Sequence, residues 1–298
     1  MATRDRLQSA RSDARRAVQK PAREARTKAR AGRGWYAVLA RVGLVAKGAS
    51  FILVGALAIK LAVGDGGKAT SRQGALQSLA QHSFGKIVLA GLAAGFAAYA
   101  LWRLVQAFAE QEDPGDGEAE GEAKKWAKRA GYVGRGSIYA GLTYTAVKIL
   151  LGAETQSQNR EAHKTAGALL GWPAGTWIVG LVGACILTAG LWNVYRALTK
   201  RFEDRWRGGG WTTRKWGGRI GVVGHFARGI VFGLIGIFVI KAALGYNPRD
   251  AIGLDGALQK LVNAPYGPWA LGATAAGLIA YGLFCFVDAA YRDVSANA

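Results

Sequence analysis

Apolar residues in this chain come in long, nearly unbroken runs, not at the spacing of an amphipathic helix or strand. Six runs of about 21–23 residues are each long enough to cross a hydrocarbon core of roughly 30 Å at 1.5 Å per residue. Stretches such as IVLAGLAAGFAAYALW, from Ile87, carry none of the polar stripe that a soluble bundle helix shows every 3.6 residues. Pro is absent from the middle of every run, and the polar, irregular segments lie between runs, where backbone groups can meet water. The pattern predicts an all-α integral membrane protein with six transmembrane helices.

The runs repeat. GLVAKGASFILVGALAIKLAVG from Gly43, GYVGRGSIYAGLTYTAVKILLG from Gly131 and GHFARGIVFGLIGIFVIKAALG from Gly224 align without a gap as G-x3-[KR]-G-x11-K-x3-G. Each continues through a polar segment into a second apolar run, near 86–108, 176–198 and 267–287. Aligning Gly85, Gly175 and Gly267 brings Trp102, Trp192 and Phe284 into register. Tyr99 and Tyr281 also match, but the middle copy has Ala189 at that place. A period of this kind marks one structural unit used several times. The expected architecture is three tandem, parallel two-helix hairpins in a pseudo-threefold arrangement.

The chain divides accordingly. Residues 1–34 form a basic cytoplasmic leader, disordered or a surface helix, with too few large apolar groups for a core. Residues 35–109 are the first copy, 110–125 an acidic flexible linker, 126–200 the middle copy, 201–218 a basic cytoplasmic linker, and 219–298 the third copy with a short tail.

Composition changes this picture little. With 298 residues, 51% apolar, 43 Gly and a mean hydropathy of +0.10 despite 39 Lys and Arg, apolarity and charge are segregated along the chain. The net charge of +20 flanks the apolar runs, so attraction to anionic lipid head groups explains it and a nucleic-acid partner is not expected. Residues 1–33 hold eleven Lys and Arg against three acids, and 199–219 hold seven against two. Loops inside the copies hold two basic residues each. Cytoplasmic loops are the positive ones, which places both termini in the cytoplasm. Cys185 and Cys285 fall in apolar runs and supply neither a disulfide framework nor a metal site. Ten Trp, among them Trp35, Trp102, Trp177, Trp206 and Trp269, read as interfacial belts. Glycines such as Gly91 and Gly95, Gly180 and Gly183, Gly229 and Gly233, and Gly272 and Gly277 read as close helix contacts.

The candidate chemistry is the triplicated cation. Lys47, Arg135 and Arg228 lie inside the apolar runs, about seven residues from their cytoplasmic starts, where a helix N-terminus would favour an anion. Snorkelling to lipid phosphate is one reading of them. A shared site for an anion or lipid head group is the other. Lys60, Lys148 and Lys241 stand thirteen residues later, near the outer helix ends, and read as interfacial anchors. No His pair, paired carboxylates, nucleophile with a base, or phosphate loop is spaced for catalysis, so no enzyme activity and no cofactor or metal is expected.

The three G-x3-[KR]-G-x11-K hairpins resemble a family of bacterial six-span membrane proteins known as a domain of unknown function, in which the domain occurs three times. The resemblance covers roughly residues 37–293. It implies a bacterial plasma-membrane location and the six-span fold, and brings no catalytic residue or substrate with it. The functional expectation is a scaffold or accessory subunit that binds anionic lipid, a membrane protein partner or itself. The alternative is a transporter or channel for a small anionic solute. The copies share one orientation and lack a recurring acid, unlike many ion-coupled transporters with inverted repeats. A membrane enzyme ranks last.

Overall fold

The computed structural model describes residues 34–64, 71–108, 122–153, 156–200, 202–206 and 210–292. The expectations for the leader, for most of the acidic linker and for the C-terminal tail fall outside these residues. Nine α-helices account for nearly all of the described chain: α1 Gly34–Ala62, α2 Arg72–Ala80, α3 Gly85–Phe108, α4 Glu122–Leu150, α5 Gln158–Leu170, α6 Gly175–Thr199, α7 Trp211–Leu244, α8 Leu254–Val262 and α9 Gly267–Tyr291. Each copy is a long helix, a short polar helix and a second long helix.

Local sequence explains the short helices and their turns. Ser71 and Ser157 sit at the N-caps of α2 and α5, where their hydroxyls accept from the backbone N–H of Gly74 and Arg160. Each short helix then turns back so tightly that its last carbonyls press on the glycine opening the next long helix. A Cβ on Gly85, Gly175 or Gly267 would overlap the carbonyl of Leu79, Leu169 or Val262. Only glycine admits this approach, which is why the three align.

Among the described residues five helices, α1, α3, α6, α7 and α9, are long and apolar enough to cross a membrane. The sixth expected span, α4, reaches 29 residues but is not among them. Arg135, Ser137, Thr143, Tyr144, Thr145 and four glycines dilute its apolar run. Large apolar side chains of the long helices, including Ile87, Leu101, Trp177, Leu181, Ile237 and Trp269, face outward and exposed. Trp102 and Trp206 do not share that position. Both are buried, so the interfacial reading does not hold for them.

Packing follows the glycines. In the first copy a Cβ on Gly43 would strike Tyr99 of α3 at 2.6 Å. In the third, one on Gly224 would strike Tyr281 of α9 at 2.5 Å. These positions correspond, and so do Gly95 against Ala46 and Gly277 against Ala227. In the middle copy α4 packs against α3 and α6 against α7, and α4 and α6 form no packed interface with each other. Between copies one contact recurs in a single register. The glycine after each cation meets the residue fifteen places past the opening glycine of a neighbouring copy's second helix. Gly48 meets Gly282, Gly136 meets Ala100, and Gly229 meets Gly190. Neighbours therefore run α4, α3, α1, α9, α7, α6, with α4 and α6 at the two ends of the order.

The connection between the middle and third copies folds against α7 and α9. Phe202 stacks on His225 at 5.0 Å with an interplanar angle of 3°, and both rings lie against Phe284. The Trp206 indole donates to Asp288 at 3.1 Å, and the same carboxylate pairs with Arg292 at 3.1 Å in a buried bridge. Arg292 also lies over the ring of Trp102, from the first copy, at 5.2 Å.

Candidate functional site: cations and aromatic rings inside the helix bundle

The residue four places after each cation is aromatic: Phe51, Tyr139 and Phe232. Four residues is one helical turn, so cation and ring share a face of α1, α4 and α7. The second helices of the first and third copies add Tyr99 and Tyr281 to the same level.

These groups converge. The Lys47 amine lies 5.5 Å from the Tyr99 ring and 5.2 Å from the Tyr281 ring. The Arg228 guanidinium lies 4.3 Å from Tyr281, 4.9 Å from Phe232 and 5.4 Å from Phe51, and donates to the Tyr281 hydroxyl. Lys47 and Arg228 thus share one ring. Phe51 stands edge-on to Tyr281 at 4.9 Å, and Tyr139 packs on Tyr99 at 4.3 Å. Each of these pairs joins one copy to its neighbour. The third equivalent pair would be Phe232 with position 189, where alanine offers no ring.

Arg135 takes a different place. It is exposed, lies 5.7 Å from the ring of Tyr132 on its own helix, and is within electrostatic reach of Tyr99. The structure brings Lys47 and Arg228 to a common ring and leaves Arg135 at the margin.

A third central cation comes from an unexpected source. Arg72, the first residue of α2, lies 5.1 Å from Phe51 and 5.6 Å from Tyr139, and donates to the Tyr139 hydroxyl at 3.4 Å. Its signal in the sequence was slight. The corresponding residues two places before the aligned glycine of GAL are Thr165 and Leu254, so no repeat marks it. The recurring ring at the fourth position after each cation was readable and was missed.

Cation–ring contacts stabilise by about 0.5–2 kcal/mol, the more so away from water. They do not neutralise charge. Among the described residues, Lys47, Arg72 and Arg228 make no ion pair, and the Arg228 Nε is buried without a hydrogen-bond partner. Asp288, the acid nearest in sequence to this level, is engaged by Trp206 and Arg292.

One part of the expectation for these cations does not hold. Helices α1, α4 and α7 all begin well before their motif glycines, α4 and α7 because polar leading residues continue the helix and α1 through an apolar stretch from Trp35. Lys47 and Arg135 each lie 13 residues past the helix start and Arg228 lies 17 past it, roughly 20–25 Å along the axis. The helix dipole acts within the first turn, so it does not organise this site. Lys148 and Lys241 stand in the last turns of α4 and α7, and Lys60 is exposed near the end of α1. Lys241 pairs with Asp250 at 3.4 Å, and Lys148 lies 5.3 Å from the Tyr144 ring.

Two cavities adjoin the cluster. The first, of about 320 Å³, lies among α5, α6 and α7, with Phe51, Arg72 and Arg228 in its wall and aliphatic side chains such as Val182 and Ile235 around it. The second, of about 570 Å³, lies along α4 and includes Tyr144 and Lys148. Arg72, Gln158 and Glu161 border both. Among the described residues no three or more His, Cys, Asp or Glu are grouped to hold a metal.

Known proteins divide this chain as its own repeats do. A family model described as Domain of Unknown Function (DUF1206) matches residues 42–110, 130–200 and 223–292. The chain is similar to an uncharacterized protein of Bacillus subtilis (strain 168), YxxB, at 29% identity over 269 residues, 88% of this chain and 93% of that one. No solved structure matches.

Proposed function

Since the chain belongs to the DUF1206 family and carries its domain three times, we propose that it is a non-enzymatic membrane protein whose central cations bind an anionic lipid. In this reading it crosses the bacterial plasma membrane six times, as three tandem helix pairs about a pseudo-threefold axis, with both termini in the cytoplasm. It serves as a scaffold or accessory subunit for a partner protein or a second copy of itself. Arg135 meets head groups at the margin, and Lys60, Lys148 and Lys241 anchor the outer helix ends.

The observation that carries the reading is the set of cations Lys47, Arg72 and Arg228, held among aromatic rings without an ion pair among the described residues. Cations at such depth are costly unless a counter-charge reaches them. A phosphate or carboxylate head group supplies one. The tyrosine hydroxyls here accept from arginine, which leaves the remaining guanidinium donors for an anion and favours the binding reading. For α4, 29 residues span about 43 Å, enough to cross. Its buried Tyr139, Leu142, Ala146 and Ile149 face the core of the first copy, while Ile138 and Val147 face outward.

Native mass spectrometry of protein extracted in neutral detergent tests the lipid reading. The wild type should carry anionic phospholipid, and K47Q/R228Q should lose most of it. Equal phospholipid in both would overturn it. Single cysteines at positions 116 and 156 test the sixth crossing, since labelling from opposite sides is expected. The alternative, passage of a small anion, draws on the two cavities that share Arg72 and Glu161. Anion flux into proteoliposomes, abolished by R228Q, would favour it.

A further inference from the structure

We infer that the cavity among α5, α6 and α7 is a binding site for one single-chain anionic amphiphile. Its acyl chain lies against α6 and α7 and its carboxylate or phosphate sits on Arg72 and Arg228. The inference rests on the anionic-lipid reading and narrows it to one place and one kind of molecule.

Five observations lead there. The cavity's volume of about 320 Å³ lies at the small end of ligand pockets, which run from roughly 300 to 1,000 Å³, and suits one chain better than two. Val179, Val182, Ile186, Val231, Ile235 and Val239 make its long wall aliphatic. Both charged groups on its inner side are guanidiniums, whose forked donors match either a carboxylate or a phosphate. The buried Arg228 Nε has no partner in the protein. The one acid at the rim, Glu161, is exposed and pairs with neither arginine, so the positive end of the cavity remains open to an anion.

The geometry also provides a route and a number. Val182 lines the cavity and is 44% exposed, so the cavity wall reaches the outer surface of α6. A chain can therefore slide in sideways from the membrane without crossing a head-group layer. Only the first copy supplies an arginine at the α2 position; Thr165 and Leu254 take that place in the others, and both also line the cavity. The threefold pattern thus yields one site per chain.

The test uses the full-length protein in a neutral steroid-based detergent, whose rigid body does not fit the cavity. Dodecanoate, dodecyl phosphate and dodecanol are added in turn, and binding is read by native mass spectrometry and by the shift in melting temperature. A single adduct is expected with an anionic probe and none with dodecanol. Binding by dodecanoate alone, by dodecyl phosphate alone or by both supports the site and identifies the head group. R72Q and R228Q should each weaken binding at least about tenfold. V182W, at an exposed position and so harmless to folding, should block it, as should I235W. Dodecanol binding as tightly as the anions, or undiminished binding in V182W and I235W, would overturn the inference. If K47Q/R228Q loses phospholipid while no dodecyl anion binds, this inference fails and the broader reading stands. If phospholipid is equal in the wild type and the double variant, the broader reading fails as well.

Discussion

In the first and third copies the two long helices pack on each other at a tyrosine, and in the middle copy, with alanine at that place, they do not. In α1 and α7 the opening glycine of the motif, Gly43 or Gly224, lies directly against Tyr99 or Tyr281. Its counterpart Gly131 meets only the Arg135 side chain of its own helix. Four residues earlier on the second helix, the closed copies need Gly95 and Gly277 to admit Ala46 and Ala227, whereas the middle copy accommodates an exposed Cys185. One approach between copies, by contrast, recurs three times in the same register, at Gly48, Gly136 and Gly229. Contact between the two long helices of one copy is therefore optional in this fold, while the approach at the glycine after the cation recurs in every copy. Where the optional contact is missing, α4 and α6 part and the cavities lie at the gap.

The comparison is easiest to break at the tyrosines. Tyr281 is buried against Lys47, Arg228, Phe51, His225 and Phe284, so Y281A should cost about 3–5 kcal/mol in detergent unfolding. A much smaller loss would show that the closed copies do not depend on the ring. Next, G95L and G277L force a large side chain into a helix contact and should each cost about 1–3 kcal/mol or more. C185L, at the corresponding place, should stay within about 0.5 kcal/mol. Equal melting temperatures for all three would erase the distinction between the copies.

The seam between copies offers a finer test. A Cβ on Gly48 would meet the Gly282 carbonyl at 2.6 Å, and one on Gly229 the Gly190 carbonyl at 3.2 Å. On Gly136 the nearest atoms belong to the Leu104 side chain at 3.0 Å, which can move. G48A should therefore lower the melting temperature more than G136A, whose cost should stay below about 1 kcal/mol. The smallest effect is expected from A189Y, which restores the missing ring opposite Phe232. It should add about 0.5–1.5 kcal/mol, the worth of an aromatic pair. Destabilisation by A189Y would mean that the middle copy has diverged beyond that single position.

Much of this was legible in the sequence, and the remainder failed for identifiable reasons. The repeat was readable because the fold uses the same backbone approaches three times, and Gly85, Gly175 and Gly267 stay glycine under a carbonyl that leaves no room for Cβ. The meeting of Lys47 and Arg228 follows from the same repetition. Helix starts were misplaced because hydropathy marks where lipid begins and not where hydrogen bonding begins, and polar residues from Glu122 and Trp211 continue as helix. Among the described residues five helices pass as spans against an expectation of six, because the cation and hydroxyls of α4 weigh against its length. Arg72 was invisible because it occurs once, in a loop helix whose approach to Phe51 depends on how that helix folds back. Trp102 and Trp206 were read from their rank near helix ends, yet they bury against groups from distant parts of the chain.

The order of helices has a consequence in time. The first long helix packs its Gly48 on Gly282 of the last, so 234 residues must be made before that face is covered. At about 5–20 residues per second this is on the order of ten to fifty seconds of translation. Of the two rings that flank Lys47, Tyr99 is made early and Tyr281 only at the end of that interval. The face of α1 that carries Lys47 is therefore completed by the last helix of the chain to be made.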